Sequence, residues 1–236
     1  MPESLRGDNW IAVRGGQIKA AMKLLSVNVA MPRAVEINGE RVSTGIYKLP
    51  ALGPVRLGRL TLEGDGQADL SVHGGEYQAA YSYPFEHYAH WERRVGAGPY
   101  PPGMFGENFT ISGLLEDSVN IGDIWRIGAV RVQVTMPRVP CFKFGHKIGR
   151  PGILKEFLHS GRSGFYHRVL KGGIVTAGDA IHLVERDPRG ITVREMLGMQ
   201  KLGEGDELLL RRALEIECLP PSLRQKLEFR LVGIKK

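Results

Sequence analysis

Glycine and proline limit what this chain can fold into more than any other feature. Its 31 glycines and 14 prolines cut the apolar residues into short runs. Such spacing does not feed long amphipathic helices, and it favours many short strands joined by turns. Hydrophobic residues make up 42% of the 236 positions and charged residues 24%, ample for a packed core, so disorder is not expected. No run of about 18 apolar residues occurs, which removes a membrane-spanning helix from the expected elements. The N-terminus lacks a secretory pattern and Cys141 and Cys218 lie far apart, which together suggest a reducing, cytoplasmic setting. A net charge of +7 suits an anionic ligand, but no dense Lys/Arg run or basic-aromatic surface makes nucleic acid the expected partner.

The period of the pattern sets the layout. Strands are expected over Leu24 to Val29, Val42 to Lys48, Val55 to Leu62, Ala129 to Thr135, Phe165 to Leu170 and Ala180 to Glu185. In the fourth, Val130, Val132 and Val134 alternate with Arg131, Gln133 and Thr135, so one face is buried and the other is not. Two Gly-Asp pairs, Gly122-Asp123 and Gly178-Asp179, each precede a strand and read as matching turns. Helices are expected over Pro84 to Val95 and Ile153 to His159. His87 and His90 stand three apart on the first; they read as packing or surface residues rather than a metal pair. Past Asp187-Pro188-Arg189-Gly190 the period becomes helical. The division expected is an extension at 1–21, a β-domain at 22–187 and a three-helix module at 188–236.

The stretch that carries chemistry is Met136-Pro137-Arg138-Val139-Pro140-Cys141-Phe142-Lys143. Two prolines stiffen the chain just after a well-patterned strand, so a thiol there is presented in a fixed direction. Arg138, Lys143, His146 and Lys147 surround it with positive charge, which favours the thiolate as nucleophile or soft metal ligand. The plainer alternative is a buried, inert cysteine, which describes most such residues. Cys218, preceded by Glu215 and Glu217, reads as a packing residue. A structural zinc site lacks its paired ligands, and a Cys–His hydrolase using His73 has no accompanying signature. A single thiolate suits a metal whose other ligands come from an organic cofactor. The loops Gly64 to Gly75 and Met104 to Thr110 would flank such a group.

These stretches, together with Ser43-Thr44-Gly45-Ile46-Tyr47-Lys48, Tyr83-Pro84 and Gly161-Arg162-Ser163-Gly164, resemble the MOSC domain family in its YiiM-like subfamily. The resemblance covers most of the chain, tail included. It departs at Glu76-Tyr77-Gln78, where an acid and a lysine are usual, and at Met136, where a glutamine is common. It implies a mainly β fold with helices, a β-barrel followed by a small three-helix module. It also implies a molybdenum cofactor, molybdopterin-bound, with Cys141 as the protein's metal ligand. The activity implied is reduction of N-hydroxylated compounds, such as N-hydroxylated purine bases, with electrons from a separate flavoprotein. On that reading Lys48, Arg138 and Lys143 would neutralise the cofactor's phosphate, Thr44 and Asn108 would hydrogen-bond pterin or substrate, and His73 would serve a proton near the metal. The alternative function is a non-catalytic sulfur or cofactor carrier using Cys141.

Overall fold

The computed structural model describes residues 22–68 and 74–234. The expected extension at 1–21 and the candidate His73 lie outside the described residues. Eight strands form one mixed sheet: β1 (Lys23–Val29), β4 (Leu49–Pro50), β6 (Ala80–Pro84), β7 (Phe109–Ser112), β8 (Ile124–Ile127), β9 (Val130–Pro137), β10 (Phe165–Lys171) and β12 (Ile181–Glu185). Their order is β12-β8-β9-β10-β6-β7-β1-β4, and within it only β6 and β7 run parallel. Two small antiparallel pairs complete the β structure: β2 (Arg33–Ile37) with β3 (Glu40–Thr44), and β5 (Val55–Leu57) with β11 (Gly173–Val175).

The expected closed barrel is not what forms. The sheet stays open, with β12 and β4 at its edges. Its two flanks meet at a single bridge, Lys23 with Ala180, supported by short backbone bonds such as Gly178 N–H to Leu24 O at 2.7 Å. A register shift between Leu24 and Ser26 then turns β1 along β7, and β12 continues along β8. A continuous ladder between the flanks needs a matched stagger.

Local chemistry explains the elements. β9 keeps the alternation read from its valines, with Val130, Val132 and Val134 fully buried. The two Gly-Asp turns do match: Asp123 accepts the Asn120 N–H at 2.9 Å and Asp179 accepts the Thr176 N–H at 2.8 Å. β2 and its turn to β3 are absent from the expected strands, although Asn38-Gly39 marks the hairpin. Both residues have positive φ, 53° and 82°, as a tight hairpin turn requires. The expected strand to Lys48 stops at Thr44, because Gly45 passes so close to the Gly66 carbonyl that a Cβ would sit 2.4 Å from that oxygen. The expected strand from Val55 shrinks to β5, with Leu62 folding back to bridge Leu57.

Six helices cover the sheet: α1 (Tyr88–Val95), α2 (Phe142–Ile148), α3 (Ile153–His159), α4 (Val193–Leu197), α5 (Glu207–Leu214) and α6 (Pro221–Ile234). Thr192 and Glu195 cap α4 reciprocally, a box that fixes where the last segment begins. Val193, Met196, Leu210, Ala213, Leu223 and Leu227 share one apolar core with the strands, so α4 to α6 pack onto the sheet. A second cluster of Tyr81, Tyr83, Tyr88, Trp91, Phe105, Phe144, Ile153 and Phe157 joins α1, α2 and α3 to β6. Among the described residues, no helix is long and apolar enough to cross a membrane.

Candidate functional site

Beside the aromatic cluster lies a cleft of about 700 Å³, counted out to its open mouth. Four segments build it: the turn after β3, the loop after β5, the loop before β7, and the segment joining β9 to α2. Thr44, Lys48, Asn108, Arg138, Cys141 and Lys143 all line it, so six candidates separated by nearly a hundred positions converge in space. Asp65, Gln67, Gln78, Tyr81 and Tyr166 line it as well.

Cys141 is half-buried at the N-terminal end of α2, and its carbonyl accepts the Phe144 N–H at 2.9 Å. Arg138, 6% exposed, lines the same cleft. Its guanidinium lies 5.0 Å from the Tyr81 ring centre and 4.9 Å from that of Phe144, a stacked arrangement that locks its direction. Burial works against this charge, but Tyr81, Tyr166 and Cys141 around it hold the guanidinium above the ordinary arginine range. Its Nη1 is buried with no hydrogen-bond partner. A buried cationic donor left over by the protein is costly unless an anion completes it.

The other polar groups are tied to the walls. Lys48 forms a buried ion pair with Asp65, and burial pulls its ammonium below the usual lysine range while Asp65 and Glu107 oppose the fall. Asn108 spends its amide on the fold, donating to Asp65 at 2.9 Å and to the Asn28 carbonyl at 3.3 Å, and accepting the Tyr81 N–H at 3.1 Å. Thr44 Oγ1 accepts the Ile46 N–H at 3.2 Å, and Lys143 Nζ donates to the Ser43 carbonyl at 3.0 Å. Glu107, in the same loop as Asn108, accepts from the Gly103 and Phe105 amides, the Thr110 hydroxyl and the Tyr88 hydroxyl. It holds the loop's shape.

Lys147 clamps two walls together, donating to the Ile46 carbonyl at 2.8 Å and the Gly103 carbonyl at 2.7 Å. Burial lowers its ammonium to about 7, with Arg138, Lys48 and Arg33 pushing the same way and Glu107 against. His87 is buried, its Nε2 hydrogen-bonded to the Glu116 carboxylate at 2.7 Å. Among the described residues, no three His, Cys, Asp or Glu side chains gather as a metal cluster.

The MOSC domain family model matches residues 69–182, which include Asn108, Arg138, Cys141 and Lys143. The uncharacterized protein YflK of Bacillus subtilis (strain 168) is 43% identical over 171 residues, covering 72% of this chain and 77% of that one. The solved structure of YiiM from Geobacillus stearothermophilus superposes with a TM-score of 0.75 at 34% identity, covering 89% of this chain and 99% of that one. The chain is a YiiM-like member of the MOSC family. A protein of Gibberella moniliformis (strain M3125 / FGSC 7600) called "Reductase" is 36% identical over 166 residues, 69% of this chain but 29% of that longer protein.

Two contributors to this MOSC cleft escaped the reading of single residues. Asp65 sat inside a loop noted for its glycines, and nothing local announces that its carboxylate meets partners 17, 35 and 43 positions away. Lys147 counted only as positive company for the thiol, whereas its ammonium is a structural clamp.

Proposed function

We propose that the chain is a molybdenum cofactor-dependent oxidoreductase that reduces N-hydroxylated compounds, N-hydroxylated purine bases among them, to amines. The observation that carries the reading is the meeting of the Cys141 thiol with the unpartnered Nη1 of Arg138 in one cleft. The residues present fit such a cofactor: a soft sulfur ligand, a buried cationic donor lacking an acceptor, and lysines at the walls. When bound, the cofactor would supply the two-electron reduction of the N–OH group, drawing those electrons from a separate donor.

The protein's own residues bind, aim and shield. Cys141 is the side chain that would hold the metal, fixed by the stiff Pro137 to Pro140 approach and by α2. Arg138 Nη1 and Lys143 would take the cofactor's phosphate, and Lys48 would add charge from the opposite wall. Thr44, which lines the cleft, would hydrogen-bond the pterin. Asn108 acts by holding the wall, since its amide is committed to Asp65, Asn28 and Tyr81. A proton role for His73 belongs to the same proposal. Electrons would come from a separate flavoprotein. The similarity to one part of a longer protein called "Reductase" supports the redox class.

The test is turnover. Protein made in a host that produces the cofactor, supplied with an artificial low-potential donor, should convert an N-hydroxylated adenine to adenine. Cys141→Ala should lower the rate by at least about 100-fold with the fold unchanged. Molybdenum-loaded protein that reduces no N-hydroxylated substrate would refute the reading, as would full activity in the alanine variant.

A further inference from the structure

Asp65 is a carboxylate set into the wall of a cleft otherwise equipped for an anion. Its side chain is 1% exposed, and every contact is to a group that shapes the site. Oδ1 accepts the Ala30 N–H at 2.9 Å and bonds the Lys48 ammonium, while Oδ2 accepts from Asn108 Nδ2 at 2.9 Å. One acid thus ties the end of β1, the turn after β3 and the loop before β7 around a single point.

The charge balance at Lys48 explains why an acid stands there. Its side chain is 9% exposed, so burial alone favours the neutral amine. Asp65 and, farther off, Glu107 favour the ammonium, whereas Lys147 from α2 is a like charge. Of these, Asp65 is the carboxylate in direct contact. A neutral asparagine of the same shape would keep the space and lose the counter-charge.

We infer that Asp65 is a positioning residue of the cleft, which keeps Lys48 as an ammonium aimed at the bound anion and fixes Asn108 beside it. The inference rests on the cofactor reading above for the identity of that anion. Asp65 acts through Lys48 and touches no reacting atom.

The experiment follows the Lys48 side-chain carbon resonance against pH in the apoprotein, for the parent, Asp65→Asn and Asp65→Glu. Molybdenum retained per chain is then read at about pH 6 and about pH 9 for the same proteins and for Lys48→Met. Asp65→Asn should lower the Lys48 midpoint by at least about one unit and retain less molybdenum at the higher pH than at the lower. Asp65→Glu should restore the midpoint, and the double variant should lose no more metal than Lys48→Met alone. An unchanged Lys48 midpoint in folded Asp65→Asn would overturn the inference, as would equal metal loss at both pH values. If Asp65→Asn does not fold, a glutamate variant that folds without holding the Lys48 midpoint overturns it too. Since the titration uses apoprotein, molybdenum missing from every preparation would count against the cofactor reading and leave the Lys48 result standing.

Discussion

The two sides of the sheet treat ionisable groups in opposite ways. On the core side, His167 of β10 packs between Phe109 and Phe165, and burial drives its imidazole down to about 3. Cys218 lies 1% exposed in the same core, its thiol donating to the Val134 carbonyl at 3.5 Å, and burial pushes it up to about 11. One residue along β10, Tyr166 faces the cleft, where Arg138 is held charged beside the Cys141 thiol. Burial is deep in both places. What differs is company: apolar rings on one side, and aromatic hydroxyls, a thiol and stacked rings around a cation on the other. Depth does not make a site; the partners that stabilise charge do.

His167 gives the largest expected contrast. Its native imidazole refuses a proton that the unfolded chain takes up below about pH 6.5, so native stability falls as pH drops from there toward 3. The loss amounts to roughly 4 kcal/mol at most across that window. His167→Gln, which keeps a hydrogen-bonding group for Ser82, should flatten this acid limb in urea unfolding series. An unchanged limb would mean the core side is wetter than it looks.

The thiols sharpen the same contrast. In apoprotein near pH 7, an alkylating reagent should modify Cys141 at least about 100-fold faster than Cys218. Comparable rates, followed by peptide mass spectrometry, would erase the distinction. Next in size, Arg138→Met should lower retained cofactor by at least about tenfold, because it removes a buried cationic donor that the protein itself leaves unpaired. Retention equal to the parent would place the anion elsewhere. The smallest effect belongs to Cys218→Ala, which should cost about 1–2 kcal/mol by the small cavity it leaves, with cofactor content unchanged.

Much of this contrast can be read along the chain, and the unread parts share a cause. The alternation at Val130 to Val134 carries its own burial, and the prolines and cations around Cys141 mark a presented thiol. Cys218, preceded by Glu215 and Glu217 and with no cation beside it, already differs. The open sheet could not be read, since an apolar alternation shows which face of a strand is buried and not whether the two edge strands pair. β7 is four residues long and pairs parallel with β6, so its local pattern is too short to separate from the loop before it. α2 was missed because Gly145 and the preceding prolines argue against a helix that Phe144 then anchors in the aromatic cluster. Asp65 is the plainest case: its three partners are brought to it by the fold, and no spacing encodes that meeting.

The central claim is that the cleft thiol, and not the core thiol, holds a metal. Molybdenum per chain, measured by elemental mass spectrometry on the parent, Cys141→Ala and Cys218→Ala from a host that makes the cofactor, tests it directly. The account predicts about one molybdenum per chain in the parent and in Cys218→Ala, and near none in folded Cys141→Ala. Equal molybdenum in the parent and Cys141→Ala, or none in a well-folded parent, would contradict it.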